Sequence, residues 1–213
     1  MRLLVSLIAM AALLFAPAGR AATAVVLPSA DVGLPFWCNW GYDWDERCYR
    51  DDGPRLPAGG VDDKVWRSAL RFPLTQIPAA SAVTSAALLV YHDGTCIAPR
   101  RVALPCDGDA YFLDAHPILS ANWFDERELE LDERASASAE LDNAVEAQWL
   151  SFDLTALVRA WHARVLANEG VLIKLARWQE AFQVSGPYVP SSSFALSTLR
   201  PRLIVTYTHA HGP

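Results

Sequence analysis

The chain has 213 residues, of which 18 are Lys or Arg and 24 are Asp or Glu, so its formal net charge at pH 7 is −6. Phosphate backbones and anionic lipid surfaces attract proteins rich in Lys and Arg, so this acidic balance argues against nucleic acid and anionic membranes as partners. The length suits a single domain with one substantial hydrophobic core.

The first segment has the pattern of a secretory signal peptide. Arg2 is followed by an apolar run from Leu3 to Phe15 and then by small residues that end at Ala21. Such signals combine a positive start, a short apolar centre and a small-residue cleavage site, and this run is too short for a membrane span. We therefore expect residues 1–21 to be removed and the mature protein to be secreted or extracellular, with the periplasm as the alternative.

A first strand is predicted over residues 22–27, and a long ordered loop over residues 28–60, which are rich in proline, glycine and aromatic residues. Long loops inside compact domains are usually functional or cross-linked. Within this loop, residues 36–50 read FWCNWGYDWDERCYR. This segment, called here the aromatic loop, is a tryptophan-rich insertion bounded by Cys38 and Cys48.

Four cysteines in an exported chain predict two disulfides. Cys38 and Cys48 are ten positions apart, as are Cys96 and Cys106, so local pairing would close two compact loops and staple the aromatic loop. Crossed pairing, which would tie the N-terminal segment to the middle of the chain, is the alternative. Zinc is disfavoured because no CxxC spacing occurs and no His lies within a few positions of Cys38 or Cys48.

Apolar and alternating runs predict further strands. They lie at residues 64–72, 83–91, 171–176 and 201–208, with shorter candidates at 180–185 and 193–197. Residues 100–104 are expected to return as a hairpin arm inside the second cysteine loop. Residues 128–132 alternate and predict an exposed strand, whereas residues 135–144, ASASAELDNA, are expected to form a loop, with a helix as the main alternative.

One helix is predicted near 154–166, because Leu157, Val158, Trp161 and Val165 recur at helical spacing. Asp153 or Thr155 can cap its first turn. Many short strands, many turns and one short helix are typical of an all-β protein, here a jelly-roll-like β-sandwich. We expect one domain over residues 22–208, with a tail at 209–213.

Three blocks resemble the DNRLRE-domain family. They read RSALRFPLTQIPAASAVTSAALLVYH, WLSFDLTALVRAWHARVLANEGVLIKLA and PRLIVTYT, and they follow one another in the order and rough spacing of that family. The resemblance covers residues 61–208 loosely. It implies an extracellular β-sandwich related to carbohydrate-binding module family 96 and to disaggregatase-related repeats, without established catalysis.

The aromatic loop is the candidate ligand-binding site. Its members offer flat rings for the C–H faces of sugars and polar groups for the hydroxyls: Trp37, Asn39, Trp40, Tyr42, Asp43 and Trp44. A disulfide would lower the ordering cost on binding. The alternative is that these rings cap an open end of the sandwich. Outside the loop, Trp66, Trp149 and Trp161 are predicted to be core residues, and Trp178 is left undecided.

No catalytic residue and no metal site is assigned, because the chain lacks the sequence motifs of serine hydrolases, zinc proteases and phosphate-binding loops. Structural calcium remains an alternative to the absence of a cofactor, since Asp43, Asp45 and Asp51, or Asp62 and Asp63, could supply oxygens. The expected partner is a polysaccharide or cell-surface glycan. A structural or adhesive protein with a protein partner is the alternative function, followed by a polysaccharide hydrolase or lyase.

Overall fold

The computed structural model describes residues 20–35, 51–61, 64–98, 102–106, 110–120, 122, 129–142, 147–181 and 185–209. The strands are β1 Ala21–Val26, β2 Ala30–Pro35, β3 Arg55–Pro57, β4 Gly59–Val61, β5 Lys64–Arg71, β6 Ala82–His92, β7 Thr95–Ala98, β8 Val102–Pro105, β9 Tyr111–Pro117, β10 Ala137–Leu141, β11 Gln148–Asp153, β12 Val171–Leu175, β13 Tyr188–Pro190 and β14 Arg202–Thr208. The helical segments are α1 Thr155–His162, α2 Arg177–Ala181 and a 3-10 turn Ser197–Leu199.

Two antiparallel sheets organise the described residues. The four-stranded sheet has the order β1-β14-β6-β11, and the six-stranded sheet has the order β10-β9-β12-β5-β2, with β4 also paired to β5. Two further pairs, β13-β3 and β7-β8, form small sheets of their own. Because β14 lies between β1 and β6, the first and last described strands are neighbours.

The inner faces of the two large sheets share one hydrophobic core. Leu88 and Val90 of β6 belong to the same buried cluster as Leu70 of β5 and Ile173 of β12. Face-to-face packing of two sheets around a common apolar layer defines a sandwich. The predicted all-β class and β-sandwich architecture are therefore confirmed.

The six-stranded sheet also buries much of its outer face, the face turned away from this core. Every residue of β12 is buried, and Leu172 forms a second apolar cluster with Ala69, Val32 and Ile118. Strands buried on both faces read as nearly continuous apolar runs, which is why VLIKL was recognisable as a strand. Lys174 is its one charged residue, and it lies on this outer face.

Helix α1 confirms the predicted helix but is shorter. Its first amide, that of Thr155, donates to Oδ1 of Asp153 at 2.9 Å, and the helix buries Leu157, Val158 and Trp161. The helix ends at His162, and Arg164 has a left-handed backbone with φ of 58°. A residue in that conformation commonly terminates a helix.

The interpretation of residues 28–60 as a long loop is wrong, because β2, β3 and β4 lie within it. Strand β2 is an edge strand that pairs with β5, and at Gly33 it also meets Asp51. A Cβ added at Gly33 would stand 2.8 Å from Cδ of Pro57, so glycine permits this close approach.

The segment ASASAELDNA was expected to be a loop, and this expectation is also wrong. Its residues Ala137–Leu141 form β10, which pairs with β9 along its whole length. Small residues have weak strand propensity, and here pairing with a neighbour overrides that preference. The expected exposed strand at 128–132 is present in its described part as a single bridge between Leu131 and Ile118.

Candidate functional site

The aromatic loop lies outside the described residues. This holds for all its candidate ligand-binding positions, Trp37, Asn39, Trp40, Tyr42, Asp43 and Trp44, and for Cys38 and Cys48. Both flanks of the loop are described. Gly33 and Asp51 exchange backbone hydrogen bonds of 2.6 and 2.8 Å, so the chain leaves and re-enters the edge of the six-stranded sheet at neighbouring positions.

The second predicted disulfide is confirmed. Cys96 and Cys106 are bonded across the β7-β8 hairpin, with their Cα atoms 4.9 Å apart. Nε2 of His92 lies 3.6 Å from Sγ of Cys106, and Nδ1 lies 3.2 Å from the carbonyl of Tyr188. A carbonyl only accepts, so Nδ1 carries the proton in the neutral ring. Burial lowers the pKa of His92 despite this contact and the nearby charge of Asp93.

The tryptophans among the described residues occupy three kinds of environment. Trp66 and Trp161 are buried, as predicted. The prediction that Trp149 is a core residue is wrong, because Trp149 is half-buried on the outer face of the four-stranded sheet. The guanidinium of Arg202 lies 4.3 Å from its ring centroid, and the ring of Tyr91 is 5.2 Å away. Strand alternation explains this placement, since the neighbouring residues Leu150 and Phe152 take the inward positions.

Trp178 differs from the other three. It is 56% exposed on α2, where the sequence predicted only a short turn, and its ring centroid lies 6.0 Å from that of Phe112 at an angle of 51°. Phe112 is on the outer face of the six-stranded sheet, in β9. The molecule therefore presents a tilted aromatic pair to solvent at this sheet.

Gln179 fixes one side of the five-residue helix α2. Its Oε1 accepts a hydrogen bond from the amide of Phe112 at 2.7 Å, and its Nε2 donates to the carbonyl of Ala110 at 3.0 Å. Helices this short are unstable on their own in water. The side chain of Gln179 thus anchors α2 to the polypeptide that enters β9.

Glu180 fixes the other side of α2 through a buried ion triad. Its carboxylate accepts two hydrogen bonds from Arg67, from Nε at 2.7 Å and from Nη2 at 2.8 Å, and one from Nζ of Lys174 at 3.0 Å. Arg67 and Lys174 are each only 7% exposed and belong to the neighbouring strands β5 and β12. Burial acts to raise the pKa of Glu180, but the hydrogen bonds and charges of Arg67 and Lys174 outweigh it, so the pKa lies below its ordinary value.

Two further described histidines contact backbone carbonyls, and the ring of a third, His209, lies 5.3 Å from that of Tyr207. Nδ1 of His116 lies 2.8 Å from the carbonyl of Asp132, and Nε2 of His162 lies 3.1 Å from the carbonyl of Pro78. Within the described ranges, no group of three or more His, Cys, Asp or Glu side chains is placed to hold a metal ion. Of the acids considered for calcium, Asp51 is described, and the others lie outside the described residues.

No protein-family model and no curated protein matches this chain. Among the helices in the part of the chain that the structure describes, none is long and apolar enough to cross a bilayer.

Proposed function

We propose that the chain is a secreted, non-catalytic β-sandwich module of the DNRLRE type, which binds carbohydrate or cell-surface polysaccharide through its aromatic loop. The module type rests on the three ordered sequence blocks, and the all-β fold is compatible with it. Export rests on the leader-like first residues, and the Cys96–Cys106 disulfide is compatible with an oxidising compartment.

The observation that carries the proposal is the closed base of the aromatic loop. The Gly33–Asp51 pair holds the two ends of a segment with four aromatic candidate ligands at one edge of the sandwich. A binding loop with fixed ends loses less conformational entropy when it meets its ligand. Stacking rings and neighbouring amide and carboxylate groups are the chemistry that a sugar surface requires.

The test measures binding of the mature protein to soluble polysaccharides by affinity gel electrophoresis. A double substitution, Trp40→Ala with Trp44→Ala, should weaken binding by about tenfold or more, because aromatic anchors carry much of the energy of an interface. Val165→Ala is the control, since Val165 is 82% exposed and lies far along the chain from the loop. Unchanged binding by the double variant would remove the loop from the site, and wild-type protein that binds no polysaccharide would remove the function.

A structural or adhesive role is the second candidate, and the outer face of the four-stranded sheet favours it. Leu89 and Ile204 are half-buried there beside the Trp149–Tyr91 pair, and Val25 of the edge strand is more than half exposed. An apolar sheet face of this kind suits a flat protein surface. Substitution of Ile204 by Glu should abolish capture of such a partner while leaving polysaccharide binding unchanged.

A further inference from the structure

We propose that Trp178, resting against Phe112, is a second sugar-binding position, at which an uncharged sugar unit of a polysaccharide stacks on the exposed indole ring. This inference rests on the proposed function, because it adds a contact and a substrate class to the same activity. It concerns a surface that the structure describes and that is separate in sequence from the aromatic loop.

The way in which α2 is held indicates that its position matters. Two buried cations and the half-buried carboxylate of Glu180 anchor a helix of five residues, although an apolar cluster of similar volume would commonly stabilise a fold equally well. Glu180 satisfies two buried cations from different strands, and Gln179 satisfies two backbone groups. The large side chain that this arrangement leaves facing solvent is Trp178. The anchoring is therefore best explained by the presentation of that ring.

The indole is preorganised for stacking. Residues 179 and 180, directly after Trp178, are both fixed by side-chain hydrogen bonds, and the tilted contact with Phe112 limits rotation of the ring. More than half of the Trp178 surface nevertheless remains accessible. A rigid, open aromatic ring binds at a lower entropy cost than one that must be ordered by its ligand.

Trp149 offers an internal comparison that favours Trp178 as the stacking position. The Trp149 ring already has the Arg202 guanidinium above it and Tyr91 at its side. A sugar would have to displace that cation before it could reach the ring. Among the described residues, the ring contact of Trp178 is the tilted one with Phe112, so a sugar can approach the ring without breaking a described interaction.

The charges around Trp178 define the class of sugar. The cations Arg67 and Lys174 are buried and committed to Glu180, so they cannot reach a ligand. Among the described residues, the charged side chains that neighbour this pair and reach solvent are Arg177, Asp114 and Glu140. Arg177 precedes Trp178 in the helix, Asp114 lies two residues along β9 from Phe112 and accepts a hydrogen bond from Ser138, and Glu140 lies directly across from Phe112 in β10. Two carboxylates against one guanidinium disfavour a polyanion. They can accept hydrogen bonds from the hydroxyl groups of an uncharged sugar.

The experiment compares mature wild-type protein with Trp178→Ala and Trp178→Phe in affinity gels that contain a mixed-linkage β-glucan, a galactomannan, a xylan or polygalacturonate. Trp178→Ala should weaken binding of the preferred uncharged polysaccharide by about 10–30-fold, whereas Trp178→Phe, which keeps a ring, should stay within about threefold. Leu196→Ala is the matched control, because Leu196 is a large hydrophobic residue that is 60% exposed elsewhere. Bound polysaccharide should also protect the Trp178 peptide from hydroxyl-radical oxidation, as read by mass spectrometry.

The outcomes separate this inference from the proposed function. Binding that is lost in the loop double variant but unchanged in Trp178→Ala, without protection of the Trp178 peptide, would overturn the second position and leave the function standing. Wild-type protein that binds none of the four polysaccharides would overturn both. Tighter binding of polygalacturonate than of every uncharged polysaccharide would overturn the assigned substrate class.

Discussion

A tryptophan lies at the outer face of each large sheet, Trp149 on β11 and Trp178 on α2, and the two rings differ in how far they are exposed to solvent. On the four-stranded sheet, the guanidinium of Arg202 lies over the half-buried ring of Trp149. At the six-stranded sheet, Glu180 of α2 forms ion pairs with Arg67 and Lys174, and the neighbouring Trp178 is 56% exposed to solvent. Where a cation pairs with a carboxylate, as Arg67 does, a neighbouring aromatic ring can remain accessible. Where a cation lies on the ring itself, as Arg202 does on Trp149, the ring is covered.

The largest effect is expected from Glu180→Ala, which removes the shared partner of two buried cations. Removing one partner from a buried ion pair typically costs about 3–5 kcal/mol, so the free energy of unfolding, measured by urea titration, should fall by that amount. Glu140→Ala is the control, because Glu140 is exposed on β10, and it should change stability by less than about 0.5 kcal/mol. Equal effects of the two substitutions would show that the triad does not anchor α2.

Acid should loosen the same triad. The folded-state pKa of Glu180 is depressed, so its contribution is complete above the unfolded pKa of about 4.3 and is lost as pH falls through the folded value. Urea titrations between pH 6 and pH 3 should therefore show a steeper decline for wild type than for Glu180→Gln. Parallel curves would contradict this assignment.

His92 provides an internal reference in those titrations. Its lowered pKa means that the unfolded state binds the proton first, so stability should begin to fall below about pH 6.5 in both proteins. Above about pH 4.3 the two curves should run parallel, with Glu180→Gln lower throughout, and only below that pH should their slopes differ.

Gln179→Ala should have the next largest effect, about 1–3 kcal/mol. It leaves the amide of Phe112 and the carbonyl of Ala110 without their described partner, and an unsatisfied buried polar group costs about that much. Gln148→Ala is a suitable control, because the hydrogen bond from Gln148 to the carbonyl of Asp142 is exposed to solvent. A loss as small for Gln179→Ala as for the control would show that α2 is held by Glu180 alone.

Arg202→Ala should expose the ring of Trp149 on the four-stranded sheet. Loss of the cation–π contact should cost about 0.5–1 kcal/mol, and the Trp149 peptide should be oxidised faster in hydroxyl-radical footprinting. Arg177→Ala, which removes a cation beside the open ring, should leave the oxidation rate of Trp149 unchanged. Oxidation of Trp149 at the wild-type rate in Arg202→Ala would mean that Arg202 does not cover the ring.

Trp178→Ala should have the smallest effect on stability, within about 0.5 kcal/mol of wild type, as expected for an exposed side chain. Trp66→Ala, at a fully buried tryptophan, should instead cost about 3–5 kcal/mol. Thermal unfolding of both variants checks this difference. A Trp178→Ala loss near that of Trp66→Ala would indicate a structural role for the exposed ring.

Five strands of the two large sheets, β1, β5, β6, β12 and β14, could be predicted from the sequence because apolar residues recur along them in patterns typical of buried strands. Trp66, Leu70 and Phe72 repeat at strand period and are all fully buried, and the apolar run of β12 matches its burial on both faces. Strands β2, β4, β9, β10 and β11 of these sheets were not predicted, and β2, β4 and β10 contain glycine, proline, alanine or serine, which have weak strand propensity. Their structure depends on a neighbouring strand, which a local pattern does not report.

The open aromatic pair could not be predicted for a related reason. Helix α2 has five residues and no amphipathic repeat, and its anchors contact partners that are distant along the chain. Glu180 and Arg67 are 113 residues apart, and Gln179 and Phe112 are 67 apart. The aromatic loop had a visible signal in its rings and cysteines, whereas the position of Trp178 is determined entirely by tertiary contacts.

Strand β14 fills the gap between β1 and β6, and this placement sets the order of events during biosynthesis. The N-terminal strand cannot find its neighbour until residues 202–208 have been synthesised. Pairing between strands this far apart along the chain is slow because a long intervening segment must close on itself. We therefore expect the closure of the four-stranded sheet around β14 to be a late step in folding.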